Sequence, residues 1–82
     1  MKTADAVRAI TEWQNWCAAN KPTMFPNPKS EQAGLKRAYN EAYRYVLTMD
    51  KTGTDGNQEF TGADGVRVSY SGSNGERWEV IA

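Results

Sequence analysis

The sequence predicts an α+β fold: an N-terminal helical hairpin packed on one face of a three-stranded antiparallel β-meander, in the order α-α-β-β-β. Three observations lead there. Two segments carry apolar residues at helical spacing, a stiff proline-rich stretch separates them, and two glycine-centred turns divide alternating segments in the last third. With 82 residues the chain reads as a single domain over 1–82. A chain of this length has room for one modest core and none for a deep internal active site.

Helix one is expected over residues 4–19. Thr3 reads as its N-cap, Asp5 adds a favourable first-turn charge, and Asn20, Lys21 and Pro22 stop it. At about 100° per residue, Ala6, Ile10, Trp13 and Cys17 share a stripe flanked by Val7 and Trp16, while Asp5, Arg8, Glu12 and Asn15 fall opposite. That stripe is a core face.

The connector, residues 20–29, holds all three prolines and excludes both helix and central strand. Pro28 at the first helical position, or Ser30 as a cap ahead of Glu31, can open the next helix. Helix two is expected over 30–49, with Leu35, Ala38, Tyr39, Ala42, Val46 and Met49 inward and Arg37, Asn40, Glu41 and Arg44 outward. Gly34 marks a fraying first turn or a close approach, since glycine inside a helix costs about 1 kcal/mol against alanine. Asp50, Gly53, Asp55 and Gly56 make residues 50–56 a turn.

Strands are expected over 57–62, 66–72 and 76–81, around Ala63-Asp64-Gly65 and Ser73-Asn74-Gly75. A two-residue Asn-Gly turn would place Val68 and Tyr70 on the opposite face from Trp78 and Val80. A three-residue loop with a left-handed glycine instead pairs Tyr70 with Trp78 and Val68 with Val80, and the same rule at Gly65 pairs Phe60 with Val68. The dry face then carries Phe60, Val66, Val68, Tyr70, Trp78 and Val80. Glu59, Thr61, Arg67, Ser69, Ser71, Arg77 and Glu79 form the wet one.

Composition narrows the chemistry. There is no histidine and one cysteine, which excludes histidine acid–base relays, cysteine–histidine nucleophiles, ordinary zinc sites and a disulfide framework. Cys17 reads as a packed thiol. The oxygen-rich run from Asp50 to Glu59 misses calcium-loop spacing, because setting Gly56 at the sixth position puts Lys51 first and Gly62 twelfth. Glu59 and Glu79 flank Ser69 on the wet face, but pairing with Arg67 and Arg77 is the ordinary explanation of such charges. No phosphate-cradling loop or nucleophile elbow occurs. No catalytic residue, cofactor or metal is expected, and the protein reads as a non-enzyme.

No apolar run reaches membrane-spanning length, and the polar-interrupted start shows no secretory leader, so a cytoplasmic, reducing setting without membrane contact is expected. Net charge is zero but unevenly placed. Residues 21–49 carry Lys21, Lys29, Lys36, Arg37 and Arg44 against Glu31 and Glu41, a net of +3, and residues 50–82 carry a net of −3.

Apolar and aromatic groups outnumber what one small core absorbs. Met24 and Phe25 lie in the connector, Trp16, Tyr45 and Leu47 on helix margins, and Ile81 on the wet face. For Phe25, folding back under the connector is favoured over exposure. These are interface-type residues, and the expected function is a small protein-binding module. It would act sterically, in the style of accessory proteins of phages or mobile elements that inhibit host proteins or defence complexes. Trp16, Phe25, Tyr43 and Tyr45 are the expected anchors, with Arg37 and Arg44 supplying oriented charge. Two alternatives use overlapping features. Lys36, Arg37 and Arg44 with Tyr43 suit a weak nucleic-acid footprint, against which stands a solvated face paired through Arg37–Glu41 and Glu41–Arg44. A self-assembling subunit would bury the surplus in a homodimer.

Overall fold

The chain folds as two helices followed by four antiparallel strands in sequence order, an α+β arrangement with one strand more than expected. The structure, a computed structural model, describes residues 1–54, 56–72 and 76–81. The helices are α1 (Thr3–Ala19) and α2 (Glu31–Val46); the strands are β1 (Asp50–Thr54), β2 (Asn57–Thr61), β3 (Arg67–Ser71) and β4 (Arg77–Val80).

Thr3 is not the cap of α1. Lys2 occupies that position without a side-chain bond, and Thr3 begins the helix, fully buried. Its backbone N–H and its hydroxyl donate to the two carboxylate oxygens of Asp64, at 3.0 and 2.6 Å. Because the threonine proton goes to Asp64, the Tyr45 hydroxyl, 2.9 Å away, donates to Thr3 Oγ1. A carboxylate from the β2–β3 loop thus satisfies the positive end of α1, joining the chain's start to its sheet.

Ser30 does cap α2, its hydroxyl accepting from the Ala33 N–H at 3.2 Å, with Glu31 in the first turn and Arg44 in the last. Gly34 sits in that first turn with open space where a side chain would go, so no close approach explains it. The helix stops at Val46 rather than 49. Beyond it the N–H groups of Thr48 and Met49 bond to carbonyls three residues back, and the Thr48 hydroxyl also donates to the Tyr45 carbonyl. The chain tightens and turns into the sheet.

β1 replaces the expected turn over 50–56. Asp50 pairs with Thr61 and Thr54 with Asn57, so only residues 55 and 56 join β1 to β2. The strand escapes apolar pattern reading because all five of its residues are exposed. The other registers follow the hydrophobic argument: Phe60 faces Val68, Val68 faces Val80 and Tyr70 faces Trp78. Gly65 is left-handed at φ 81°, and the Gly62 N–H bonds to the Val66 carbonyl. The loop residues Ser73, Asn74 and Gly75 lie outside the described residues.

Phe60, Val68 and Trp78 form one buried cluster with Ala6 and Ile10 of α1 and Ala42 and Val46 of α2. Val80 shares their side of the sheet but is 42% exposed near the end of the edge strand, a correction to the expected dry face. The core is thin: Ile10, Val68 and Thr3 are the largest fully buried side chains. Accessible surface is 5754 Å², against roughly 4,900 Å² expected for a compact chain of this mass. The radius of gyration is 13.3 Å, against about 12 Å for this length. The molecule is elongated and leaves much aromatic surface uncovered.

Candidate functional site

Phe25 is 90% exposed and its neighbour Met24 85%, which reverses the expectation that Phe25 folds back. The prolines explain the outcome. Pro22, Pro26 and Pro28 fix φ at three points of a connector that bends at Met24 and Phe25 and turns at Pro28 and Lys29, and this stiffened path holds the two side chains off the small core. The connector is nonetheless held. Gln32 of α2 accepts from both the backbone N–H and the hydroxyl of Thr23, each at 3.2 Å, and donates to the Thr23 carbonyl at 2.8 Å. On the other side Asn27 accepts from the Lys29 N–H at 2.8 Å, and Arg37 donates to the Pro28 carbonyl at 3.0 Å. Two large apolar side chains are therefore presented to water on a braced loop.

The connector itself carries charge of one sign. Lys21 and Lys29 flank its tip, and residues 21–29 contain no acidic group. Arg37 sits directly behind it through Pro28. The ion pairs among the described residues are Arg8–Asp5, Arg67–Glu59 and Arg77–Glu79, so neither lysine is paired there. The expected Arg37–Glu41 and Glu41–Arg44 pairs are likewise absent among them.

A run of aromatic rings extends from the connector end towards the sheet. Trp16 stacks on Trp13 with centroids 5.7 Å apart and donates its indole N–H to Glu31 at 2.9 Å. Trp13 meets Tyr39 at 6.0 Å, and Tyr39 meets Tyr43 at 5.6 Å. The Lys36 ammonium lies over both Trp13 and Tyr39, 5.1 and 4.7 Å from their centroids. Lys36 is thus held against the rings by cation–π attraction. Burial raises the Tyr39 phenol above its ordinary pKa, reinforced by Tyr43 and then Glu76. Tyr70 is raised by desolvation, then by Glu76 and Tyr43. The helical run ends at Tyr43, which lines a cleft together with a separate group of sheet rings, Tyr70, Trp78 and Phe60.

Of the residues expected to contact a partner, the fold brings Trp16, Lys36 and Tyr43 onto this run and places Phe25 and Arg37 at the connector. Arg44 is exposed on α2. Tyr45 is different: its hydroxyl serves Thr3, its ring packs against the core, and it belongs to the fold rather than to a free surface. Cys17 is half-buried and lines a shallow cleft with Trp13, Tyr39 and Glu76. On the outer sheet face Glu59 pairs with Arg67 at 2.7 Å and Glu79 with Arg77 at 3.7 Å, leaving the two carboxylates beside Ser69 engaged with cations. Among the described residues no three acidic or thiol groups converge as metal ligands, and no helix is long and apolar enough to cross a membrane.

The brace on the connector is what sequence reasoning missed. Its signal is the pair Thr23 and Gln32, two polar residues whose bonding needs the tertiary turn between the helices. Neither a protein-family model, nor a curated protein, nor a solved structure matches the chain.

Proposed function

We propose that this protein is a non-catalytic protein-binding module that engages its partner through the connector tip, with Phe25 as the inserted anchor. The observation that carries this reading is the near-complete exposure of Met24 and Phe25 on a connector braced from both sides. Burying a phenylalanine side chain is worth about 1.5–3 kcal/mol, and a braced loop loses little freedom on docking. The surrounding charge defines the partner: an apolar pocket rimmed by acidic side chains complements Lys21, Lys29 and Arg37. Trp16 and the Lys36-covered rings extend the contact along the helical hairpin. The action is steric, because occupying such a pocket excludes whatever else binds there.

The test is affinity capture from a bacterial lysate with the wild-type chain and a Met24→Ser/Phe25→Ser variant, each repeated after nuclease treatment. A discrete protein retained by wild type after nuclease and lost by the variant supports the reading. Identical capture by both chains overturns it. Recovery that depends on nucleic acid and falls steeply with salt replaces it with the basic face of α2 bound to phosphates, and a concentration-dependent mass with no other partner replaces it with self-assembly.

A further inference from the structure

A second cleft lies on the other side of Tyr43, between the last turn of α2 and the inner face of the sheet. Val46, Phe60, Tyr70 and Trp78 give it apolar and aromatic walls. Its volume is about 210 Å³, below the roughly 300–1,000 Å³ of drug-sized sites, so it takes a fragment of about one ring. Lys51 from β1 also lines it, exposed and without an ion pair among the described residues. The other polar side chains of its lining are the Gln58 amide and the Tyr43 and Tyr70 hydroxyls, the last donating to Glu76 at 3.5 Å, and no acidic residue lines it among the described residues.

Trp78 adds an independent observation. It is 7% exposed, and its indole N–H is a fully buried donor with no acceptor among the described residues. Buried side-chain donors are nearly always paired, so an orphaned one is unusual, and it belongs to a residue that lines both this cleft and another beside Glu76 and Glu79. The cleft therefore combines an apolar slot, a wall residue whose buried donor lacks an acceptor, and one cation without an ion pair, among the described residues.

We infer that this cleft binds a small aromatic carboxylate, its ring between Val46, Phe60 and the Tyr43 and Tyr70 rings and its charge on Lys51. A single ammonium matches the one charge of a carboxylate rather than the nearly two of a phosphate monoester. The site is separate from the connector tip, so its fate does not depend on the protein-binding reading.

The experiment titrates phenylacetate into the isotope-labelled full chain and follows the Trp78 indole N–H by NMR, with phenylacetamide to remove the charge and acetate to remove the ring. Saturable movement of the Trp78 signal is expected with phenylacetate. Binding should weaken roughly tenfold or more for phenylacetamide, and by a similar factor for Lys51→Met, since each removes a charge-assisted bond. Acetate should leave the signal in place. No saturable movement at millimolar phenylacetate overturns the inference, as does equal affinity for the neutral amide or for Lys51→Met. Movement confined to the Trp13 and Trp16 signals overturns it too. Lys51 is exposed, so the variant keeps the fold, and the amide control on the unaltered chain tests the same charge without any substitution.

Discussion

Replacing Gly62 by alanine should be strongly destabilising, although it adds a single methyl group. Gly62 is buried beneath the cluster that ties α1 to the sheet. A methyl there would collide with Thr3 Oγ1 and stand 2.7 Å from the Tyr45 hydroxyl and 2.9 Å from Asp64 Oδ1. Something must move, and the Thr3 hydroxyl is fully buried with both its partners in the same cluster. Leaving it unpaired costs about 1–3 kcal/mol, and the overpacking adds about 1–3 kcal/mol. A total of about 2–6 kcal/mol lowers the melting temperature of a domain this size by roughly 10–50 °C. Urea unfolding followed by circular dichroism measures the loss. Gly65→Ala is the control: it has open space and suffers only from its left-handed φ of 81°, about 1–2 kcal/mol. Thr3→Ala in the Gly62→Ala background should recover part of the loss, because it removes the atom the methyl strikes. A Gly62→Ala protein within about 0.5 kcal/mol of wild type, or strict additivity with Thr3→Ala, would refute the cluster.

Gly34→Ala should stabilise by up to about 1 kcal/mol in the same assay, since nothing occupies the space and the helix gains. Tyr45→Phe should lose about 1 kcal/mol by removing the donor to buried Thr3; an unchanged midpoint would return Tyr45 to the free surface. The Asp64 carboxyl is held below its ordinary 3.8 by the Thr3 hydroxyl and then by the Thr3 N–H. Below 3.8 and above the folded value the unfolded chain binds more protons, so stability rises with pH there and is lost as pH falls through the folded value. Asp64→Asn should flatten that acid limb, and an unaltered slope would assign it to other carboxylates. Phe25→Ser should shift stability by no more than about 0.5 kcal/mol, since its side chain touches little of the fold; a larger loss would mean the connector packs inward in solution.

Legibility in the sequence tracks how local each determinant is. The Ser30 cap, the core stripe through Ala6, Ile10, Ala42 and Val46, and the Phe60–Val68–Val80 and Tyr70–Trp78 registers rest on periodicity and turn chemistry, and the structure has them. β1 has no such pattern, because Asp50, Lys51, Thr52, Gly53 and Thr54 offer no apolar alternation. Its one local mark is the Asp55-Gly56 pair, a two-residue hairpin signal that a plain turn over 50–56 accommodates equally well. Thr3 has the local marks of a cap, since threonine before a helix usually is one. Only a partner 61 residues away in the chain makes it something else. At Phe25 hydrophobicity argues for burial and three prolines argue against it, and the backbone constraint wins. Tyr45 sits on a helix margin, where sequence spacing alone does not separate a core-edge phenol from an exposed one.

The most direct test of the connector as a binding surface is the affinity of the captured partner for the wild-type chain and for Phe25→Ser, titrated at low and moderate salt. An anchor of hot-spot strength predicts a loss of about thirtyfold or more on substitution, at an unchanged melting temperature, with wild-type association slowing as salt screens Lys21, Lys29 and Arg37. Equal affinities for the two chains would contradict it, and would move the contact surface away from the connector.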